Sequence, residues 1–476
     1  MPYQTGDRNQ IQMLPPTIDE MVADNDPVRA YDAIIDKLDL SKLGLQKIYK
    51  KAGKPPYDPL SMLKLLVYGY SYGWRSSRKL ERATYHNLSF IWLLGGLKPD
   101  HKTIANFRKK NKKVLKKVLK QCARLCLKLD LIQGNCLFAD GTKIRGSASK
   151  SKTYSKQSLE SKLAKVEQRI DDLLKECDRI DSLESGSFVK MGKELNSQEK
   201  LKSKIETCLN ELETSDRKEI NLTDPDCIVV KSRQGIHAGM NAQIVVDEKN
   251  GLIVNSDVVS EANDRNQLSG QIEQANHQLK EPCRSAVADA GYSSVGDLKK
   301  LVDQGIDVIV PSQKQAEKNP TVDPFSKDRF RYDPDNNEYI CPMGQRLVYS
   351  YFSTVKRHYV YRFTSAKICQ QCEHFGICTK AKRGRSIQRL EFEEIKEDLE
   401  SRYDSEEGQT KYQKRKALVE HPFGHIKRNL TFGSFLMRGI EAAKGEFAIA
   451  SCCFNIARMI TLFGGVTPLL KRLETV

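Results

Sequence analysis

The sequence predicts an α/β protein in which an all-α N-terminal domain precedes a mixed sheet flanked by helices. Apolar residues recur at three- and four-residue spacing through most of the first 130 residues, as in amphipathic helices. From Cys136 onward, short apolar runs alternate with helical segments, a pattern typical of strands joined by helices. Two long amphipathic segments between Leu159 and Leu212 interrupt this alternation, so we expect an inserted helical hairpin.

The N-terminal helices are expected to include a helix–turn–helix-like DNA-binding unit. One helix is predicted by Leu60, Leu63, Leu66, Val67 and Tyr70, and another by the stretch from His101 to about Leu129, with Asp100 as its N-cap. Cations crowd the front half of the second helix: Lys102, Arg108, Lys109, Lys110, Lys112, Lys113, Lys116, Lys117 and Lys120. Clustered cations gain affinity for DNA by releasing counterions from phosphates, whereas the alternative is a solvated lysine-rich face. Arg108, Lys109 and Lys112 are therefore candidate phosphate contacts.

Composition favours a cytoplasmic protein that binds a polyanion. Lys and Arg number 78 against 61 Asp and Glu, which gives a net charge of +17. Nucleic acid is the commonest polyanion, although a ribosomal or membrane-surface protein would show the same excess. No run of eighteen apolar residues predicts a membrane span, and Met1–Met13 lacks the layout of a signal peptide. Without that signal, the 13 cysteines favour reduced thiols and metal ligation over disulfides.

The strands of the predicted core follow an order that is known from one fold. Its elements are the strand Cys136–Ala139, a hairpin of Met240–Asp247 and Leu252–Val259, a helix Asp264–Lys280 capped by Asn263 or Asp264, a strand Ser285–Ala288, a helix Val295–Gln304 and a strand Ile306–Val310. Three consecutive strands followed by alternating helices and strands is the order of an RNase H-like fold, by analogy at the level of the fold.

Two of these strands lead directly into carboxylates. Asp140 follows the first strand and Asp289 the fourth, and a glycine lies close after each. Carboxylates at strand ends are unfavourable unless a cation compensates them, and Mg²⁺ prefers such hard oxygen ligands. The alternative is that each aspartate only caps the following turn. Two such strand ends in one fold favour the metal-binding interpretation.

Six ordered segments resemble blocks of bacterial insertion-sequence transposases of the DDE superfamily. Three resemble its catalytic blocks: Leu137-Phe-Ala-Asp-Gly-Thr-Lys-Ile144, Ala286-Val-Ala-Asp-Ala-Gly-Tyr292 and Val419-Glu-His-Pro-Phe-Gly-His-Ile-Lys-Arg428. The stretch Pro99–Arg108 is similar to the family's helical N-terminal domain, and Asn241–Asp247 with Ala262–Asp264 is similar to its intervening blocks. The resemblance covers roughly residues 15–463.

This resemblance implies a catalytic site and a reaction, DNA transposition. A nuclease of RNase H-like fold that does not transpose, and a non-catalytic DNA-binding protein descended from a transposase, are the alternatives. Asp140, Asp289 and Glu420 would hold two Mg²⁺ (or Mn²⁺) ions for phosphoryl transfer, with element terminal inverted repeats and target DNA as double-stranded partners of a homo-oligomer. Tyr412, Arg415 and Lys427 match the Tyr, Arg and Lys that relatives place around the glutamate. Four residues separate Arg415 from Glu420 where three are common, so Lys416 is an alternative to Arg415. Pro422 is expected to kink or restart this helix.

Four cysteines form a candidate zinc site. Cys369 and Cys372 have the spacing of a zinc knuckle, and Cys341 and Cys378 would complete four thiolates, with His374 and His358 as substitute ligands. Four ordinary reduced cysteines are the alternative. The apolar run Phe447–Phe463 is expected to pack against the sheet.

Together these interpretations divide the chain into five parts. They are a helical DNA-binding domain (1–130), the first parts of the RNase H-like core (131–146 and 223–311), the inserted hairpin (147–222), a small cysteine-rich insertion (312–400) and C-terminal helices that complete the core (401–476).

Overall fold

The structure is a computed structural model that describes residues 16–45, 55–181, 188–232, 235–317 and 323–475. It divides into two compact units. The larger unit comprises Met1–Asp264, Gly270–Ala286 and Lys414–Val476, and the smaller unit comprises Arg265–Ser269 and Val287–Gln413. The segment Met1–Met13 lies outside the described residues, and so do residues 185–187, which lie between the two expected helices of the hairpin.

Seven helices are described before the first strand of the larger unit. Asp26, Asp58 and Asp100 cap three of them, with a proline at the first helical position after Asp26 and Asp58. The single helix predicted from His101 to Leu129 is instead two helices that meet at Asn111, whose side chain donates a hydrogen bond to the Phe107 carbonyl. The helices are α1 Pro27–Asp36, α2 Leu40–Leu43, α3 Pro59–Ser71, α4 Ser77–His86, α5 Leu88–Leu93, α6 His101–Lys110 and α7 Lys112–Lys128.

The inserted hairpin is confirmed as a pair of long helices with a core of its own. After β1 (Cys136–Arg145), the chain forms β2 (Thr153–Ser155), α8 (Lys156–Asp181), α9 (Phe188–Thr214) and β3 (Glu219–Asn221). β2 and β3 pair in antiparallel fashion at the base of the hairpin. The apolar cluster inside the hairpin consists of Leu159, Val166, Ile205, Cys208, Leu212, Ile220 and Leu222.

The main sheet has the predicted antiparallel meander at its centre. Its further elements are β4 (Ile228–Ser232), β5 (Gly235–Asp247), β6 (Ile253–Val259), α10 (Leu268–Leu279) and β7 (Ser285–Val287). β5 pairs with β1 along one edge and with β4 and then β6 along the other. Within the larger unit the order is therefore β6-β5-β1-β7. When these strands are counted along the chain as the first (β1), second (β5), third (β6) and fourth (β7) of the predicted core, this is the 3-2-1-4 order of an RNase H-like sheet.

Two predicted boundaries near the site are wrong. β1 does not end at Ala139 but continues to Arg145, because residues 141–145 pair with residues 239–243 of β5. α10 begins at Leu268, so Asp264 is not its N-cap; the Asp264 carboxylate instead accepts hydrogen bonds from β5.

The smaller unit contains a five-stranded antiparallel sheet that the sequence did not predict. Its strand order is β13-β12-β11-β10-β9, around the apolar side chains of Phe330, Tyr339, Leu347, Tyr361 and Ile387. The unit also contains β8, which is joined to the end of β7 by a hydrogen bond from the Ala288 amide to the Ile309 carbonyl. Its elements are α11 Val295–Val302, β8 Asp307–Ile309, β9 Arg331–Asp333, β10 Glu338–Ile340, β11 Arg346–Ser353, β12 His358–Arg362, α12 Ala366–Gln370, β13 Ser386–Leu390 and α13 Glu393–Asp404.

The chain ends in α14 (Glu406–Gly424), α15 (Ile440–Leu462) and α16 (Val466–Glu474). α15 is buried against α3, α7 and β6, which confirms that the apolar run near the C-terminus packs on the sheet. Among the described helices, only α15 is long and apolar enough to cross a membrane, and its buried position is that of a core helix.

Candidate active site

A polar cleft of about 760 Å³ in the larger unit brings together residues from β1, β5 and α14. Three of its lining residues are the acids Asp140, Asp264 and Glu420. Four others are cations: Lys143, Arg145, Lys427 and Arg428. A cleft of about 990 Å³ in the smaller unit is larger, but it is lined by none of the predicted catalytic residues. Convergent carboxylates and cations, rather than volume, identify the first cleft as the candidate site.

Asp140 is held on β1 by local and tertiary contacts. Its Oδ1 accepts a hydrogen bond from the Gly141 amide at 2.8 Å, and its Oδ2 lies 3.5 Å from Arg415 Nη1. Any larger residue at position 141 would displace the side chains of Gln243 and Asp264, because a Cβ there would lie 2.4 Å from Gln243 Nε2 and 2.5 Å from Asp264 Oδ1. The glycine after the predicted catalytic aspartate therefore allows the hydrogen-bonded side chains of Gln243 and Asp264 to lie close to β1.

Asp264, which the sequence pattern predicted as a helix N-cap, lines the cleft. Its Oδ1 accepts hydrogen bonds from Asn241 Nδ2 and Gln243 Nε2, each at 2.7 Å, and from Lys143 Nζ at 3.4 Å. The available signal was on β5, where Asn241 and Gln243 are fully buried polar residues in an otherwise apolar strand. Buried amides require hydrogen-bond partners, and Asp264 supplies one.

Glu420, Arg415 and Tyr412 lie on the continuous helix α14, and Lys427 lies on the turn that follows it. Glu420 is exposed to solvent at the cleft. Arg415 contacts Asp140, whereas Lys416 is exposed. The structure therefore favours Arg415 over Lys416 as the residue that matches the family's arginine. Tyr412 belongs to the smaller unit, where its ring packs edge-on against Tyr403 with the centroids 5.1 Å apart.

The helix does not restart at Pro422 but widens beyond it. α14 continues through Pro422, and a π-helical turn follows at His425–Asn429. Lys427 on this turn donates a hydrogen bond to the Thr142 hydroxyl of β1. The rings of His421 and His425 both pack against Phe454, and burial together with the neighbouring His421 lowers the pKa of His425. These contacts give the two histidines a packing role.

Asp289 lies in the smaller unit, just beyond the end of β7. Its Oδ1 accepts a hydrogen bond from the Gly291 amide at 2.8 Å and caps the short 3₁₀ turn Ala290–Tyr292. The side chain is only partly buried. β7 begins in the larger unit as the neighbour of β1.

The predicted phosphate contacts of the N-terminal domain differ in exposure. Arg108 is 6% exposed, and its Nη2 donates a hydrogen bond to the Arg75 carbonyl at 2.7 Å. The prediction that Arg108 contacts DNA is therefore corrected, because its guanidinium is committed to the core. Lys109 is exposed and Lys112 half-buried, next to the exposed Lys113, Lys116 and Lys117.

The four cysteines predicted to bind zinc surround one small cavity in the smaller unit. Cys341, Cys369, Cys372 and Cys378 line it together with His374, and none of the four is in a disulfide. Amide groups of Gln345 and Arg385 each donate to a sulfur at 3.4 Å, to Cys341 and Cys369 respectively. As the side chains are placed, no group of three or more His, Cys, Asp or Glu in the described ranges is arranged to share one metal ion. The zinc hypothesis thus rests on the spacing and on this common cavity.

The donor chemistry of the cleft that Asp140 and Glu420 line is suited to a magnesium ion. Mg²⁺ is usually held by one or two carboxylates, with waters and substrate phosphates supplying the other ligands. Asp140 and Glu420 line the same cleft, and Asp140 already lies beside a positive charge from Arg415. A set of three carboxylates on one ion is therefore not required.

Comparison with known families finds a match in the N-terminal part of the chain and another in its C-terminal part. Residues 16–110 match a transposase domain (DUF772), and residues 340–460 match a transposase DDE domain. Glu420 and the four cysteines lie inside the second match, whereas Asp140 and Asp289 lie outside both. No curated protein matches the chain.

Among solved structures, the chain is similar to one described as a cryo-EM structure of piggyBac transposase synaptic complex with hairpin DNA. The TM-score is 0.35 and the identity 10%, over 95% of this chain and 79% of that one, a likeness too distant to assign any residue. The two domain matches, in this order on one chain, identify the protein as a DNA transposase with a DDE domain.

Proposed function

We propose that this transposase cleaves DNA at the ends of its element and joins those ends to target DNA, with Asp140, Asp289 and Glu420 as the metal-binding carboxylates. The observation that carries the proposal is the cleft shared by Asp140 and Glu420, which lie 280 residues apart in the sequence. Asp289 is included because it follows β7, the sheet neighbour of β1, and because its sequence block resembles the family's second catalytic block.

The cations of the cleft have a separate task. Two Mg²⁺ or Mn²⁺ ions, when bound, would activate the attacking hydroxyl and stabilise the leaving oxygen. Lys427 and Arg428 on the π-helical turn, with Lys143 and Arg145 on β1, are placed to attract DNA phosphates to the same cleft. Arg415 positions Asp140 and can also bind phosphate, since a guanidinium suits both anions.

The proposed chemistry has two steps of the same kind. A water oxygen attacks a phosphorus at the element end, the bond from phosphorus to the 3′ oxygen breaks, and the released 3′ oxygen takes a proton. That 3′-hydroxyl then attacks a phosphorus of the target, and the target's own 3′ oxygen leaves. No protein nucleophile is needed, so the carboxylates and cations only position the reacting groups.

DNA capture is assigned to the N-terminal helices. α6 and α7 present exposed lysines, among them Lys109, Lys113, Lys116 and Lys117. We expect them to hold the terminal inverted repeats in a homo-oligomer that joins two ends. Affinity should fall steeply with salt, since each phosphate contact releases a counterion.

The test is a cleavage and strand-transfer assay on labelled element ends with Mg²⁺. Asp140→Ala, Asp289→Ala and Glu420→Ala should each reduce cleavage below a few per cent of wild type while leaving end binding nearly unchanged. Glu199→Ala, at an exposed position on α9, is the control for loss of an acid and should cleave normally. A variant that keeps substantial cleavage removes its residue from the catalytic set. Cleavage without joining would instead indicate a nuclease.

A further inference from the structure

Residues 341–390, here called the basic segment, hold a disproportionate share of the chain's positive charge. They contain ten Lys and Arg and one acid, Glu373, so their net charge is +9 out of +17 for the whole chain. The segment comprises β11, α12, β12 and β13 of the smaller unit and the four clustered cysteines. Such an excess within 50 residues suits a polyanionic partner.

The fold collects several of these cations at one end of the five-stranded sheet. Gln370 on α12 donates a hydrogen bond to the Lys382 carbonyl at 2.9 Å, and the Arg385 amide donates to Cys369 Sγ at 3.4 Å. These contacts hold α12 against the loop before β13. Four exposed cations, one on α12 and three on the loop, are thereby brought to the same end: Lys367, Lys380, Lys382 and Arg383.

These four cations are available to a ligand. In contrast to Arg357, which is paired with Glu391, and Arg389, which is buried over the Tyr332 ring, none of the four has an ion pair within the described part of the chain. The only acid of the segment, Glu373, lies beside His374.

Exposed tyrosines lie at the same end of the sheet. Tyr349 and Tyr351 on β11 are 43% and 45% exposed, so part of each ring is accessible to a ligand. β11 pairs with β12 so that Val348 is opposite Arg362, and Arg362 is opposite Ser386, the first residue after the cationic loop. The Arg362 guanidinium lies 5.3 Å from the Tyr351 ring centre. The register therefore places the two tyrosines within a few residues of the cations.

We propose that this end of the sheet, formed by Tyr349, Tyr351, Lys367, Lys380, Lys382 and Arg383, binds an unpaired stretch of a DNA strand. Cations that follow a backbone and aromatic rings that stack on bases are the two elements of single-strand recognition. A duplex would satisfy the cations but would leave the rings without bases to stack on. The inference rests on the proposed function, since it assigns to the smaller unit a strand that is opened during cleavage or joining.

The test measures binding of a fluorescent single-stranded oligonucleotide and of its duplex to the full-length protein, without divalent metal. Changing Lys367, Lys380, Lys382 and Arg383 together to Gln should weaken single-strand binding and lower the slope of log affinity against log salt by up to about 3. Tyr349→Ala with Tyr351→Ala should weaken single-strand binding about tenfold or more and leave duplex binding nearly unchanged.

The matched control removes four exposed lysines from the inserted hairpin, Lys165, Lys193, Lys200 and Lys204, by changing each to Gln. An equal loss of affinity in this control, or unchanged single-strand binding in the tyrosine variant, would overturn the proposal. So would a change in oligomeric state in place of a change in DNA affinity, because the surface would then be a protein contact. Thermal unfolding at the wild-type temperature shows that each variant is folded. Because no cleavage is measured, failure here is distinct from failure of the catalytic assignment.

Discussion

At the scale of single residues, the contact between Arg415 and Asp140 means that the arginine and a metal ion would compete for the same carboxylate. Its Nη1 lies 3.5 Å from Asp140 Oδ2, and both side chains are largely shielded from solvent. A metal ion and a guanidinium cannot both hold the same carboxylate oxygen at full strength, since each is a cation. Binding of metal at Asp140 would therefore release Arg415 toward a DNA phosphate.

We expect Arg415→Gln to lower the Mg²⁺ concentration required for half-maximal cleavage, because the competing cation is removed. Cleavage at saturating Mg²⁺ should nevertheless fall by about tenfold to a hundredfold, the effect of losing one charged hydrogen bond. A titration of Mg²⁺ in the cleavage assay measures both quantities. Lys416→Gln, one residue further along α14, should change neither. A higher Mg²⁺ requirement in Arg415→Gln would show that the arginine supports the metal site instead.

At the scale of elements, the inserted hairpin is independent enough to be removed. Its helices share their own apolar cluster, and β2 and β3 pair at its base. Replacing residues 156–218 by a short Gly/Ser linker should leave the larger unit folded, since closing a loop depends only weakly on its length. Both tryptophans, Trp74 between α3 and α4 and Trp92 on α5, lie in the N-terminal part of the larger unit, so their fluorescence reports its unfolding.

The same deletion tests the role of the hairpin. Cleavage of a single end should persist, while assembly of a complex that pairs two ends should weaken when followed by native gel electrophoresis. Aggregation, or loss of the cooperative fluorescence transition, would show that the hairpin belongs to the core of the larger unit.

The cysteine cluster is the second element with a direct test. Protein purified without chelators should contain about one zinc per chain, and the pair Cys369→Ser with Cys372→Ser should abolish it. The tryptophan transition should not move in this variant, because the cysteines lie in the smaller unit. Metal analysis that finds no zinc in the wild-type protein would leave four packed thiols. Cys283→Ser, at a buried cysteine of the larger unit, is the control.

At the scale of the whole larger unit, a buried carboxylate connects the N-terminal helices with the C-terminal segment. Glu446 is fully buried on α15 and accepts hydrogen bonds from the Leu436 and Met437 amides, with Arg75 Nη1 3.8 Å away. Arg75 in turn donates a hydrogen bond to the Ser434 carbonyl at 2.6 Å. Burial raises the pKa of Glu446 above its ordinary value, and the two amides oppose that shift.

Glu446→Ala should destabilise the larger unit by about 2–4 kcal/mol, since it leaves two amides and an arginine without their buried acceptor. Urea unfolding followed by tryptophan fluorescence measures this loss. Glu446→Gln retains an acceptor and should lose less. Because the folded pKa is raised, the titration of Glu446 stabilises the fold most below the ordinary glutamate pKa and loses this contribution as pH rises through the folded value. As pH rises from below the ordinary glutamate pKa to neutrality, wild type should therefore lose more stability than Glu446→Gln; equal losses would contradict the role of burial.

The sequence predicted elements better than it predicted the contacts between them. Periodicity and capping residues identified α3, α8, α9 and the hairpin of β5 and β6, because those signals are local. The extension of β1 depends on its pairing with β5, which no local pattern shows. The break at Asn111 coincides with a local hydrogen bond, from the Asn111 side chain to the Phe107 carbonyl, that apolar periodicity does not reveal. The five-stranded sheet was missed because its strands are short and interrupted by turns.

The candidate site divides in the same way. Asp140 and Glu420 were found from their sequence blocks, and both line one cleft. Asp264 was mistaken for a cap because its partners, Asn241 and Gln243, are some twenty residues away. Arg108 was mistaken for a DNA contact because charge in a sequence does not reveal burial.

One side chain on α15, that of Asn455, forms a pair of hydrogen bonds with β6 that bears on the solubility of the protein. The side-chain amide of Asn455 donates to the Ile253 carbonyl and accepts from the Ile253 amide, both at 2.8 Å, in the manner of a neighbouring strand. Ile253 lies on β6, and strand edges with unpaired peptide groups can recruit other chains into aggregates. Asn455 occupies these groups on β6 from within the same molecule. The core helix therefore also limits the ways in which this sheet can be extended by a foreign strand.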